Sequence, residues 1–201
     1  MLFGDPTKLQ FAKQLAAALG FIGLCRADRV KVEALGASRS KPGPVLRGRA
    51  QLWRMLEYLD QLQPGCNEPL AKSVKDLALC NSGKGIVVIL SDLMDKTGYE
   101  AALNFLLARQ MDVYVIHILA PEELDPEIKG DLKLVDVEDG DIAEITVSRP
   151  LLERYKSTLA AFIGGAREFC TRRGMSYLTT STATQVDQIV SGYLRRKGLV
   201  R

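Results

Sequence analysis

Gly85-Ile-Val-Val-Ile-Leu-Ser-Asp92 decides the reading of this 201-residue chain: an unbroken apolar run ends in a hydroxyl and a carboxylate. A run of this length without polar alternation predicts a strand buried on both faces, as in a parallel sheet. In open parallel sheets, ligands sit in the crevice beyond the carboxyl ends of the strands, so Ser91 and Asp92 are expected there. Their oxygens suit a hard divalent cation, which makes Asp92 a candidate for half of a Mg2+ or Mn2+ site.

Working outward, Asp112 to Leu119 is a second continuous apolar strand and Met175 to Thr179 a short third one. Helical spacing recurs between and around them: Leu52, Met55, Leu56 and Leu59; Leu70, Val74, Leu77 and Ala78; Ala101, Ala102, Phe105 and Leu106; then Leu152, Tyr155, Leu159 and Phe162. Asp5-Pro6 reads as an N-cap with proline at the first helical position, opening a helix that reaches Cys25. Val30 to Leu35 suits a strand, and Ser38 to Arg49 a basic loop with one short strand near Val45. A turn over Gly65-Cys-Asn-Glu-Pro69 leads into the third helix, and Val186, Ile189, Val190, Tyr193 and Leu194 mark a last amphipathic one. Helix and strand alternate, which predicts an α/β fold with a doubly wound, mostly parallel sheet and helices on both faces. Leu132 to Val137 and Ile142 to Val147, joined by Glu138-Asp-Gly-Asp141, read as a β-hairpin set into that rhythm.

Composition narrows the function. The chain is 47% hydrophobic and 25% charged with a formal charge of +3, too small for nucleic-acid binding through bulk electrostatics. Cys25, Cys66, Cys80 and Cys170 have no C-x-x-C spacing, and His117 is the single histidine, which argues against zinc. The opening residues do not have the pattern of a secretory leader, so reduced thiols and a cytoplasmic setting are expected. No apolar run approaches the roughly 20 residues needed to span a bilayer.

Three ordered motifs, Leu90-Ser-Asp92, Ile116-His-Ile-Leu-Ala-Pro-Glu-Glu-Leu124 and Leu132-Lys-Leu-Val-Asp-Val-Glu-Asp-Gly140, resemble a bacterial family of von Willebrand factor A-like domains catalogued as domain of unknown function 58. The resemblance covers nearly the whole chain and implies one Rossmann-type domain over 1–201 with the hairpin inserted near 132–147. It also implies a metal-ion-dependent adhesion site, in which Asp92 matches the aspartate of the fourth strand and Asn67 stands in the threonine loop. The family's Asp-x-Ser-x-Ser element precedes a methionine and the first helix, whereas this chain opens at Met1-Leu-Phe-Gly-Asp5. The expectation is an N-terminally incomplete domain, with Met1 an internal methionine of a longer protein and Mg2+ or Mn2+ bound only if the missing ligands exist.

Each candidate also has a structural reading. Ser91 either supports a ligating group or caps the turn after the strand, and Asp95 either holds a metal-bound water or caps the helix that follows. His117, inside an apolar strand, reads as a core histidine. The clusters Arg39, Lys41, Arg47 and Arg49, Arg172-Arg173 and Arg195-Arg-Lys197 read as solvated surface, with an acidic partner or phosphate as the alternative. Trp53 and Tyr58 belong to a helix pattern rather than beside these charges, which disfavours single-stranded nucleic acid.

The expected function is a non-enzymatic interaction module. The resemblance extends to proteins found beside MoxR-type AAA+ ATPases, implying such a partner and a role in assembling or remodelling proteins. The alternatives are a metal-dependent hydrolase or phosphatase-like protein using Asp92, or a degenerate metal-free binding domain. A phosphatase-like site wants a second acidic residue on a neighbouring strand end and a positioned lysine, and the linear sequence displays neither beside Asp92 nor a phosphate-binding G-x-x-x-x-G-K-[ST] loop.

Overall fold

The computed structural model describes residues 1, 4–35, 43–63, 68–80, 84–126, 130–135, 142–195 and 198–199. In chain order these form α1 (Lys8–Cys25), β1 (Arg29–Lys31), β2 (Val45–Arg47), α2 (Leu52–Gln61), α3 (Leu70–Cys80), β3 (Ile86–Ser91) and α4 (Glu100–Ala108). There follow β4 (Asp112–Leu119), α5 (Pro121–Leu124), β5 (Gly130–Val135), β6 (Ile142–Val147), α6 (Arg149–Arg172), β7 (Ser176–Ser181) and α7 (Val186–Gln188), which continues as a π-helix over Ile189–Leu194.

The helix-strand alternation produces a parallel sheet of three strands in the order β3-β4-β7. Leu90 lies opposite Ile116 and Ile116 opposite Leu178, so the three carboxyl ends finish level with one another. The central strand β4 is buried on both faces, and its side chains alternate between two cores. Val113 and Val115 pack with Val74, Leu103, Leu106 and Cys170 from α3, α4 and α6. Ile116 and Ile118 pack with Phe11, Ala12 and Leu15 of α1 and with Ile189. Helices therefore cover both faces, as the periodicity predicted.

The mostly parallel sheet expected from the sequence is smaller than anticipated. β1 does not join it: of the strand expected over Val30 to Leu35 only Val30 and Lys31 pair, and together with Arg29 they run antiparallel to β2. A third core, from Leu24, Leu46, Met55 and Leu59, fills the space between this hairpin, α1 and α2. Gly43 makes the hairpin possible, because a Cβ there would collide with the Val32 carbonyl oxygen. The predicted hairpin of β5 and β6 is present and pairs Val135 with Ile142. Its turn Glu138-Asp-Gly-Asp141 lies outside the described residues.

The start of α1 also differs from expectation. Asp5-Pro6 is a cis peptide, and the N-cap is Thr7. Its hydroxyl accepts from the Gln10 N–H at 3.2 Å while the Gln10 amide oxygen accepts from the Thr7 N–H at 3.0 Å. This reciprocal box satisfies two groups at the helix end, and Asp-Pro supplies neither bond.

Candidate functional site

The chain leaves β3 through a tight turn. Leu93 is buried in the left-handed region at φ 57°, a conformation unfavourable for a side-chain-bearing residue. Two side chains hold it: Ser91 Oγ accepts from the Leu93 N–H at 3.0 Å, and Asp92 Oδ1 from the Met94 N–H at 3.4 Å. Ser91 is therefore a turn cap. Asp95 is also a cap, of an earlier helix than expected: its Oδ2 accepts from the Leu70 N–H at the start of α3, while Oδ1 accepts from the Thr97 N–H at 2.6 Å.

The remaining oxygen of Asp92 faces Lys8. Lys8 Nζ lies 2.9 Å from Asp92 Oδ2 and 2.7 Å from Glu123 Oε1, so one ammonium joins the end of β3 to α5, the short helix that follows β4. The amino group of Met1 stands 3.5 Å from the same aspartate oxygen. Glu123 is fixed in turn, because its second oxygen accepts from the Ala120 N–H at 2.7 Å. Lys8 is only 3% exposed. Burial would lower its pKa, but the two carboxylates outweigh burial and raise it above the ordinary lysine value. Burial would raise the Asp92 carboxyl, and Lys8 reverses this, holding it below the ordinary value.

His117 lies beneath this cluster, opposite Ser91 in the ladder and fully buried. Its Nδ1 is 2.6 Å from the Tyr177 hydroxyl, which also accepts from Thr179 Oγ1 at 3.2 Å, and its ring meets Phe162 edge-on. Burial pushes its pKa down to about 4 against a smaller opposing pull from Asp92. Nε2 makes no well-formed hydrogen bond among the described residues, although the Asp92 backbone lies close enough to favour the charged ring slightly. This is a neutral core histidine.

Lys8 and Glu123 are the residues that sequence reasoning missed. Glu123 lay within a quoted motif, but its partner is 115 positions away. The available signal was spacing: Lys8 precedes Phe11, Ala12 and Leu15 on one buried stripe of α1. A lysine on such a stripe needs a buried counter-charge.

The divalent cation implied by the family resemblance meets a poor donor set here. Asn67 lies outside the described residues, as does Cys66. Asp92 already has a cation beside it, and among the described residues no three His, Cys, Asp or Glu side chains gather as metal ligands. The described residues do not fit an octahedral cation shell. A cavity of about 310 Å³ lies along β7, lined by Leu178, Thr179, Thr180, Ser181, Thr184, Gln188 and Ile189, and none of the three charged residues belongs to it.

The basic clusters are largely tied into local structure where they are described. Arg47 donates to the Ala27 carbonyl, Arg172 pairs with Glu168, and Arg173 stacks on Phe169 at 3.8 Å. Arg39, Lys41, Arg196 and Lys197 lie outside the described residues.

Comparison with known proteins places these features in context. The model of the family described as "Protein of unknown function DUF58" matches residues 3–161. The uncharacterized proteins Rv1480 of Mycobacterium tuberculosis H37Rv and Mb1516 of Mycobacterium bovis are each 24% identical over 157 residues, covering 77% of this chain and 49% of the relative. The chain thus spans about half the length of these relatives. Among solved structures, BatB from Bacteroides thetaiotaomicron aligns with a TM-score of 0.52 at 12% identity, over 97% of this chain and 90% of that one. An aerotolerance-related membrane protein from Bacteroides fragilis, carrying multiple mutations to serine, aligns at 0.55 and 14% identity, over 95% and 88%. These two likenesses concern the fold alone. No described helix of the present chain is long and apolar enough to cross a membrane.

Proposed function

Since this chain belongs to the DUF58 family, whose function is unknown, we propose that it is a non-enzymatic, von Willebrand A-like interaction module whose strand-end face contacts a protein partner. The observation that carries this reading is the character of that face. Its charges are engaged with one another through Lys8, and apolar side chains stand exposed around them. Met94 follows the Asp92 turn and Leu124 follows Glu123. Tyr155 donates to the Glu123 carbonyl at 2.9 Å, and Leu151 lies one turn earlier on α6. All four are exposed large hydrophobics. Neutralised charge flanked by exposed apolar side chains suits contact better than chemistry.

The von Willebrand A-like assignment draws support from the level strand ends, the helices on both faces and the edge of β3. Among the described residues β3 pairs only with β4, although its side chains are apolar enough for an interior position. The partner we propose is a MoxR-type AAA+ ATPase, met in a cytoplasmic setting. The test is a pull-down of that ATPase from a complete lysate with the wild-type chain and with Met94→Asp/Leu124→Asp. Recovery by the wild type and loss in the double variant is expected; failure to recover it with either overturns the partner.

One observation favours a second reading. A near equivalent of the grouping absent from the linear sequence is assembled in three dimensions: Lys8 stands beside Asp92, and Glu123 joins them from α5, just after the neighbouring strand β4. A phosphatase-like protein would use Asp92 as nucleophile, yet here that carboxylate is ion-paired on a buried ammonium. Hydrolysis of a generic phosphate ester with Mn2+, abolished in Asp92→Ala, would establish the enzyme and displace the interaction module.

A further inference from the structure

We propose that the Lys8 ammonium is the resident cation of the strand-end crevice, a tethered charge that joins Asp92 and Glu123 in the manner a bound divalent ion would. The inference concerns the cluster itself and does not depend on which partner the face contacts.

Four features of the geometry carry it. Both carboxylates reach the same nitrogen, at 2.9 and 2.7 Å, Asp92 from the residue after β3 and Glu123 from α5, the short helix that follows the adjacent parallel strand β4. Each carboxylate has its other oxygen committed to a backbone N–H, Met94 for Asp92 and Ala120 for Glu123, so each directs one oxygen inward. Lys8 is anchored as well: it occupies the first turn of α1 behind the Thr7–Gln10 capping box, and the helix below it is locked by buried Phe11, Ala12 and Leu15. Finally, Lys8 is almost completely buried, so an alternative position for its charge would have to be found in solvent.

A tethered ammonium differs from a metal in three ways. It carries one charge instead of two, it cannot be chelated away, and it presents donors to acceptors without an open coordination position. A divalent ion at Asp92 would stand within a few ångströms of the ammonium, where like charges repel strongly in a partly desolvated site. Metal uptake at Asp92 therefore requires Lys8 to leave, and with Lys8 in place the face keeps its shape independently of metal supply.

Mn2+ titration of the full chain, followed by electron paramagnetic resonance of the free ion, tests this. The wild type should show no saturable uptake below about 1 mM, the range of weak extracellular calcium modules, and Asp92→Asn should be indistinguishable from it. A saturable wild-type site lost in Asp92→Asn overturns the proposal. Lys8→Met leaves two carboxylates facing one another, with the Met1 amino group 3.5 Å from Asp92 as the remaining cation, and should gain one Mn2+ site, at least about tenfold tighter than any wild-type binding, a difference of about 1.4 kcal/mol. That site should vanish in Lys8→Met/Asp92→Asn. A folded Lys8→Met, verified by circular dichroism, that takes up no Mn2+ also overturns it. If Lys8→Met does not fold, the wild-type comparison with Asp92→Asn decides. Neither readout involves partner capture or ester hydrolysis, so the outcome is separable from the functional readings above.

Discussion

His117 illustrates how a single buried side chain sets a pH limit on the fold. Its folded pKa is depressed to about 4, while the unfolded chain takes up a proton near 6.5. The unfolded state therefore binds more protons between these values, so stability is complete above pH 6.5 and falls as pH drops toward 4, by about 3 kcal/mol. Replacing His117 with Gln should flatten the pH dependence of the urea midpoint over that window, at some cost in stability at pH 7 from the altered contact with Tyr177. A wild-type midpoint that does not move between pH 7 and 5 would refute the neutral buried imidazole. The apolar run around it, Tyr-Val-Ile-His-Ile-Leu, already marked this histidine as interior. Lys8 was not legible in the same way, because its two partners come from segments that only the sheet brings together.

At the scale of elements, periodicity foretold the helices and the parallel strands, and it failed where local hydrogen bonds decide. The capping of α1 by Thr7 rather than Asp5 is one instance. Asp95 is another: position alone suggested a cap for the helix after it, whereas it accepts from the first residue of α3, 25 positions earlier. That bond ties the turn after β3 to the start of α3. Asp95→Ala should lower stability by about 1 kcal/mol, the usual cost of a lost cap, and Asp95→Asn by less. Amide hydrogen exchange would locate the effect: faster exchange at Leu70 and in the first turn of α3 is expected, with little change in α4. Uniform acceleration throughout the chain would mean that Asp95 does something other than cap. The failure of β1 to join the parallel sheet was beyond sequence reasoning for a different reason. Strand partners are chosen by long-range geometry, and the alternation of Val30 and Val32 is compatible with either choice.

On the scale of the whole molecule, α1 stands between the sheet and the β1–β2 hairpin: its first half packs on β4, and Leu24 near its end packs with Leu46, Met55 and Leu59. Membership of the DUF58 family and the likeness to BatB agree with the α/β reading of the sequence, while the partner and the chemistry of the face depend on residues no linear pattern assembles. The Lys8–Glu123 contact spans 115 positions, and this separation has a kinetic consequence. Closing so long a loop is entropically costly, so local units such as β3-α4-β4 are expected to form first and the ion cluster afterwards. A contact made after the transition state acts on the unfolding rate alone. In a chevron experiment Lys8→Met should refold almost as fast as the wild type and unfold many times faster, so that the buried ammonium acts less as a guide to folding than as a latch on the finished molecule.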